Sequence, residues 1–271
     1  MGYSLSDYDF LDIGCGDGHT MIIGRAQFLG ERGLGIDKDE ASVAKAKDAG
    51  HNALVADALT FDPAPHRFDF LTAYHILEHL PSLESVASLI ARMPMLARHF
   101  AFVAIPSFEG EDYLKQLGLR QYWTNWVGHP CHITVNDLVD ALAACGLAEF
   151  EMRCVDLVLS SSHPSIVPVG AQDELEYDPS KHGPKPSLPL RQKVFREVQA
   201  LVRMPGGDLS RWNTARRCFF FSEDAAACHL VRLEAQLATA RQELDAVVGS
   251  TAYRFGTFFS KKIARLKRRG R

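Results

Sequence analysis

No two of the six cysteines, Cys15, Cys131, Cys145, Cys154, Cys218 and Cys228, stand at C-x-x-C spacing. Their scatter argues against a zinc ribbon, a thiol redox motif or a disulfide framework, and it fits a reducing cytoplasm. No apolar run nears the ~18 residues that span a bilayer. The N-terminal stretch lacks the basic and apolar regions of a secretory signal. The expectation is a chain neither secreted by that route nor membrane-spanning. An internal repeat of solenoid length is also missing.

Charge of one sign is scarce overall, at −3 net, but it is unevenly placed. Residues 254–271 hold eight of the 30 Lys and Arg and no Asp or Glu. That leaves 22 basic against 33 acidic residues, −11 net, in residues 1–253. A body this acidic argues against duplex nucleic acid as the partner, whereas the basic end suits something anionic. What is present in quantity, 46% hydrophobic and 23% charged residues over 271 positions, describes a globular chain with one substantial α/β domain and extras.

From residue 9 to about 105, short apolar runs alternate with longer amphipathic stretches, the βαβ texture of a mostly parallel sheet. Strands are expected at 9–13, 33–37, 53–56, 68–73 and 100–105. Helices are expected near 18–29, 39–49 and 82–98, the last kinked or ended around Pro94. Val135, Leu138, Val139 and Leu142 mark a helix over 134–145, with Thr134 and Asp137 as a capping box and Gly146 as its stop. Strands follow at 148–160 and, much later, at 216–222. Between them, residues 161–214 are rich in Pro, Ser and His, with a helix suggested by Leu190, Val194, Val198, Leu201 and Val202. Beyond 224 a heptad pattern runs through Ala226, Leu230, Leu233, Leu237, Ala240, Leu244 and Val247.

The first expected strand runs into Asp12-Ile13-Gly14-Cys15-Gly16-Asp17-Gly18 and then a helix, which lets backbone N–H groups approach a ligand closely. Asp37 closes the second strand 23 positions after Gly14, where a carboxylate can accept from ribose hydroxyls. Ala56-Asp57-Ala58 closes the third. The fourth, Phe68 to Ala73, leads into His75-Ile76-Leu77-Glu78-His79-Leu80.

With these motifs in order, the chain resembles class I S-adenosylmethionine-dependent methyltransferases, in particular a subgroup with H-x-L-E-H-L after the fourth strand. The spacing G-x-G-x-G, in place of G-x-G-x-x-G, favours S-adenosylmethionine over a dinucleotide. The resemblance covers about residues 9–160 and the segment near 216–222. It implies a Rossmann-like doubly wound, mostly parallel seven-stranded sheet within a domain over 1–223, with an insertion at 161–214 between its last two strands. It also implies that Asp12, Gly14, Cys15, Gly16 and Gly18 meet the methionine part of the cofactor. Asp37, with Lys38 beside it, would take the ribose, Asp57 and Ala58 the adenine, and Ala73 and Tyr74 would lie beside the sulfonium. Members of the family carry one or two helices before the first strand, and here about eight residues precede it. Either the start is truncated or another segment, such as 161–214, supplies the cover.

Three readings compete for His75, Glu78 and His79. As a bare pattern the segment is the H-x-x-E-H of inverted zinc peptidases. It also resembles the E-x-x-E-H that holds a divalent cation in ubiquinone-pathway O-methyltransferases and small-RNA 2′-O-methyltransferases, with His75 departing at the first position. The reading adopted is metal-free: Glu78 and His79 orient the loop by hydrogen bonds, and His79 is a candidate general base. His129 and His132, ahead of the helix at 134–145, are further candidate bases, because methylation of a hydroxyl needs its proton removed. Tyr122, Trp123 and Trp126 suit a wall for a sugar or aromatic acceptor. The lack of an Asn-Pro-Pro-Tyr type segment speaks against base or amide N-methylation.

Residues 224–248 read as a coiled-coil-like helix able to pair with a second copy or another chain, and 249–271 as a basic aromatic tail for peripheral contact with an inner membrane. The run from Leu233 to Gly256 with its basic end resembles tails on bacterial glycosyltransferases and methyltransferases of surface-polysaccharide assembly. The expected function is O-methylation of a small-molecule or glycan acceptor in surface glycan biosynthesis. The alternatives are a ubiquinone-type aromatic O-methyltransferase and a non-catalytic scaffold in a glycan-assembly complex.

Overall fold

The computed structural model describes residues 4–171 and 175–221. The chain divides into two units, Met1–Phe219 and Phe220–Arg271. The expected coiled coil at 224–248 and basic tail at 249–271 lie outside the described residues.

The first unit is built on β1 (Phe10–Ile13), β2 (Gly33–Asp37), β3 (Ala53–Val55), β4 (Phe68–Tyr74), β5 (Ala97–Pro106), β7 (Phe150–Ser160) and β9 (Pro189–Arg203), joined in the order β3-β2-β1-β4-β5-β9-β7. The first five strands are parallel, and β9 runs antiparallel to both β5 and β7. Two short strands, β6 (Leu119–Gln121) and β8 (Ile166–Pro168), form a separate antiparallel pair. Chain order reverses between β1 and β4, which opens a crevice at the carboxyl ends of those strands.

Of the helices, α1 (Met21–Ala26) is shorter than its pattern suggested, and α2 (Glu40–Asp48) starts at Asp39, whose side chain accepts from Ser42 N–H. Leu83–Leu96 forms α3, which ends two residues after Pro94. It is followed by α4 (Glu111–Gln116) and by α5 (Val135–Ala144) with both bonds of its Thr134–Asp137 capping box in place. The connection after β7 holds α6 (Pro179–His182), and α7 (Leu209–Phe221) follows β9.

Two assignments are corrected here. Residues 190–202 are not a helix but most of β9, and 216–221, expected within the last strand, are the end of α7, which Asp208 caps by accepting from Arg211 N–H. Valines four apart satisfy a period of 2 as well as one near 3.6, so that spacing alone cannot separate strand from helix. The insertion between the last two strands is accordingly 161–188, not 161–214.

One face of the sheet carries an aromatic row across three adjacent strands. Phe10 stacks on Phe70 with centroids 5.1 Å apart and Phe70 on Phe100 at 4.8 Å, matching the registers Phe10↔Phe70 and Phe70↔Phe100. Gly24, Gly30 and Gly33 leave the room that the Phe10 ring fills. On the α3 and α5 side, Leu89, Ile90, Met93, Leu138 and Leu142 are fully buried in one cluster with Ile13, Leu71 and Val103. Burying each such side chain contributes about 1.5–3 kcal/mol, so the crevice edge is held on a rigid layer.

Candidate active site

The glycine loop leaves β1 where its sequence requires it to bend. Gly14, Gly16 and Gly18 all take positive φ, at 71°, 52° and 92°. A side chain at Gly14 would strike Ile76, whereas one at Gly16 would meet nothing within 4 Å and would fill open space. Asp37 fastens this loop: its Oδ2 accepts from Gly16 N–H and its Oδ1 from Asp39 N–H, both at 2.9 Å. Asp12 lies fully buried beneath it, accepting from Thr20 Oγ1 and Thr72 Oγ1 at 2.6 Å each. Burial pushes the Asp12 carboxyl up to about 6, against the two hydroxyls that favour its ionised form.

The remaining donor-side candidates divide. Cys15 turns its side chain into a core cluster with Met21, Val43, Ala46 and Ala53, so only its backbone belongs to the loop. Lys38 and Asp57 are exposed, the latter accepting from Leu59 N–H, and Ala58 packs partly buried against the core. Ala73 is fully buried in β4, paired with Ile13 of β1, so Gly14 and Tyr74 leave the sheet side by side.

Tyr74 opens onto a cavity of ≈ 940 Å³. The end of β4 and the turn after it contribute Tyr74, His75, Glu78 and His79. The 122–129 loop contributes Tyr122, Trp123, Trp126 and His129, and β7, β9 and the 161–188 connection contribute Asp156, Leu175, Glu176, Arg196 and Glu197. Leu175 and Glu176 of the connection after β7 form part of the wall on this side. None of the glycines or Asp37 lines the cavity, and Tyr74 links the two parts.

Glu197 gathers three donors. Its Oε2 accepts from Tyr74 Oη at 2.6 Å and faces His75 Nε2 at 2.8 Å, while its Oε1 accepts from the Gln199 amide. These donors keep its carboxyl below the usual range although burial opposes them. His75 holds the pose with φ of 52°, a left-handed backbone uncommon outside glycine, and its ring stacks on Tyr74 at 4.3 Å. Burial and the Glu197 charge push the Tyr74 phenol up.

The candidate bases separate as well. His79 gives its Nδ1–H to Gly128 O at 2.6 Å, and His129 lies against Trp123 O at 3.3 Å through Nδ1. The two rings stand 4.8 Å apart. Burial holds both below the usual imidazole value, His129 at about 4. His132 does not line the cavity: it stacks on Phe108 at 4.3 Å with Nδ1 3.4 Å from Glu111 Oε2, which raises its pKa. It is therefore withdrawn as an acceptor-side base. Glu78 is fully buried with neither carboxylate oxygen hydrogen-bonded, and burial lifts its carboxyl to about 7.

Metal-ligating types in this cavity meet at Glu78, His79 and His129, not at His75, Glu78 and His79, because His75 is turned to Glu197. Sequence reading missed Glu197, Arg196 and Asp156. The first two sit on β9, where a helical assignment placed them on no particular face of the sheet.

A family model described as a methyltransferase domain matches residues 3–149. The chain is 34% identical over 99 residues to the ubiquinone biosynthesis O-methyltransferase of Pseudomonas putida and 35% over 101 residues to that of Pseudomonas entomophila, in each case over 33% of this chain and 41% of the relative. It therefore spans about two-fifths of the length of these curated relatives. Among solved structures, an S-adenosylmethionine-dependent methyltransferase from Archaeoglobus fulgidus aligns over 72% of this chain and 85% of its own, with 15% identity and a TM-score of 0.48.

Proposed function

We propose, for a chain that belongs to the methyltransferase-domain family, that it transfers a methyl group from S-adenosylmethionine to a hydroxyl of an acceptor seated in the ≈ 940 Å³ cavity. The observation that carries this reading is the pairing of Ile13 with Ala73, which sets the glycine loop and Tyr74 side by side at the sheet's crevice. The bound donor supplies an activated methyl carbon. What remains for the protein is positioning of two reactants and a path for the acceptor proton.

The open side of Gly16 and the Asp37 carboxylate, whose oxygens keep lone pairs beyond the two backbone bonds they accept, fit the donor's amino-acid and ribose parts. On the acceptor side, aromatic faces of Tyr122, Trp123 and Trp126 stand with carboxylates at Asp156, Glu176 and Glu197 around one space. Rings suit the apolar face of a sugar and carboxylates accept from its hydroxyls. With Arg196 paired to Asp156 and Glu176 in the same wall, the lining is polar and of mixed charge, which favours a hydroxyl-rich glycan acceptor. His75 is the cavity imidazole with a carboxylate partner: with Nε2–H given to Glu197, its Nδ1 is the atom left to accept a proton.

A second reading, an aromatic hydroxyl acceptor, is supported by the same aromatic residues and by the 34% identity over 99 residues to a ubiquinone biosynthesis O-methyltransferase. Incubating the full chain with labelled S-adenosylmethionine and two acceptor panels, neutral oligosaccharides and catechol-type phenols, separates them. Label incorporated only into phenols would overturn the glycan assignment, and label in neither would remove both.

A further inference from the structure

We propose that Arg153 and Gln199, neither of which lines the cavity, are positioning residues: acting through Glu197, they fix the His75 imidazole with its proton on Nε2 and the Nδ1 lone pair left for the acceptor hydroxyl. The proposal rests on the methyl-transfer reading only for the use made of that lone pair.

Strand pairing carries one row of residues across four strands. Tyr74 on β4 pairs with Ala104 on β5, Ala104 with Gln199 on β9, and Gln199 with Arg153 on β7. Residues paired in this way share a face of the sheet, and Glu197, two places from Gln199, joins the same face. The Ala104 side chain is only a methyl group, and from either side of it Tyr74 and Gln199 both reach Glu197. Simple alternation would turn His75 to the opposite face from Tyr74. Its φ of 52° breaks the alternation, so that the two rings stack at 4.3 Å and His75 Nε2 stands 2.8 Å from Glu197 Oε2. His75 N–H also donates to Ala104 O at 2.8 Å, which ties this turn to the row.

Arg153 sets the direction of every bond that follows. A guanidinium only donates, so Gln199 Oε1, 2.7 Å from Arg153 Nε, must accept. The amide nitrogen of Gln199 is then left to donate, and it meets Glu197 Oε1. Against the burial of Glu197, its donors hold the carboxyl below the usual range, so it is an acceptor at both oxygens. Facing Oε2, His75 Nε2 must carry the proton. A neutral imidazole has one N–H, so Nδ1 carries the lone pair, and no described residue hydrogen-bonds to it. Arg153 is braced in turn, its guanidinium lying 4.7 Å from the ring of Phe219, which is fully buried on α7. In methyl transfer the acceptor's oxygen forms its bond to the methyl carbon as its O–H proton passes to Nδ1, and the pair of the broken C–S bond stays on sulfur. The imidazolium so formed faces the Glu197 carboxylate.

The test is nitrogen NMR of the full chain labelled at its histidine rings, recorded about two pH units above the ordinary imidazole value, without S-adenosylmethionine or acceptor. The His75 signals are identified by their loss in His75→Gln. Wild type should carry the His75 proton on Nε2. In Glu197→Gln the new amide has one oxygen, which Gln199, held by Arg153, claims. Its NH2 group then faces His75, and the proton is expected on Nδ1, the tautomer ratio moving at least ~10-fold, the change that about 1.4 kcal/mol gives. Adding Gln199→Leu or Arg153→Met to Glu197→Gln frees the new amide to turn round, and the ratio should return toward Nε2. A bracing role alone would not move the tautomer. A ratio unmoved by Glu197→Gln, or one that neither second substitution restores, would overturn the relay. Should the variants fail to fold, the wild type still decides: a His75 proton on Nδ1, or on both nitrogens, contradicts the proposal. Because donor and acceptor are absent, failure here is distinct from failure of the methyl-transfer reading.

Discussion

The Oε2 of Glu197 on β9 lies 2.8 Å from Nε2 of His75, a contact between residues 122 positions apart that fastens the end of β4 to the antiparallel half of the sheet. Tyr74 and Gln199 donate to the same carboxylate. Glu197→Ala leaves the part-buried Tyr74 hydroxyl and the buried Gln199 amide without this acceptor, and each such group costs about 1–3 kcal/mol. Urea unfolding should show a loss of about 2–4 kcal/mol for the alanine variant and a smaller loss for Glu197→Gln, which keeps one acceptor oxygen.

Gly14 and Gly16 should fail in different ways. At Gly14 a methyl group meets Ile76 and the backbone is left-handed, so Gly14→Ala is expected to lower thermal stability by the ~1–3 kcal/mol typical of overpacking. At Gly16 the backbone is left-handed too, but the methyl group meets no protein atom, and under the proposed function it would stand in the donor's space. Gly16→Ala should therefore carry only the ~1–2 kcal/mol of left-handed backbone strain, less than Gly14→Ala, yet bind S-adenosylmethionine at least ~10-fold more weakly, a loss of ~1.4 kcal/mol. Differential scanning fluorimetry and calorimetry separate the two effects.

Asp12 titrates against the fold. Its native pKa of about 6 exceeds its ordinary 3.8, so the native state binds more protons than the unfolded state between those values, and stability falls as pH rises through that window. Two pKa units correspond to roughly 3 kcal/mol. Asp12→Asn abolishes the titration, so the stability of the variant relative to wild type should rise between pH 4 and pH 6.5 by up to about that amount. A difference that stays flat across this range would show that Asp12 is ionised throughout.

The parallel half of the fold was legible because its signals are local. Glycines at the β1 turn, Asp37 at the end of β2, and the Thr134–Asp137 box each declare themselves within a few residues. The antiparallel half was not. Val194, Val198 and Val202 lie four apart, which fits a helix face as well as a strand, and only pairing with β5 and β7 decides between them. Misplacing β9 hid Glu197 and Arg196, and with them the acceptor-side electrostatics. His129 stood out in the sequence as a candidate base but not as a neighbour of Glu78, because the loop that joins them is set by tertiary contacts.

The basic tail at 249–271 lies outside the described residues, yet its eight cations without an acidic residue predict attraction to anionic lipid. Full-length chain should sediment with phosphatidylglycerol vesicles at low salt, and a chain ending at residue 248 should not. Equal partitioning of both would remove the tail as a membrane contact.

Calorimetric titration of the full chain with S-adenosylmethionine tests the central claim most directly. The account predicts saturable binding of one molecule per chain below ~1 mM, the upper range of ordinary enzyme substrates, and its loss in Asp37→Ala. No heat of binding up to that concentration, from a chain shown to be folded, would contradict it.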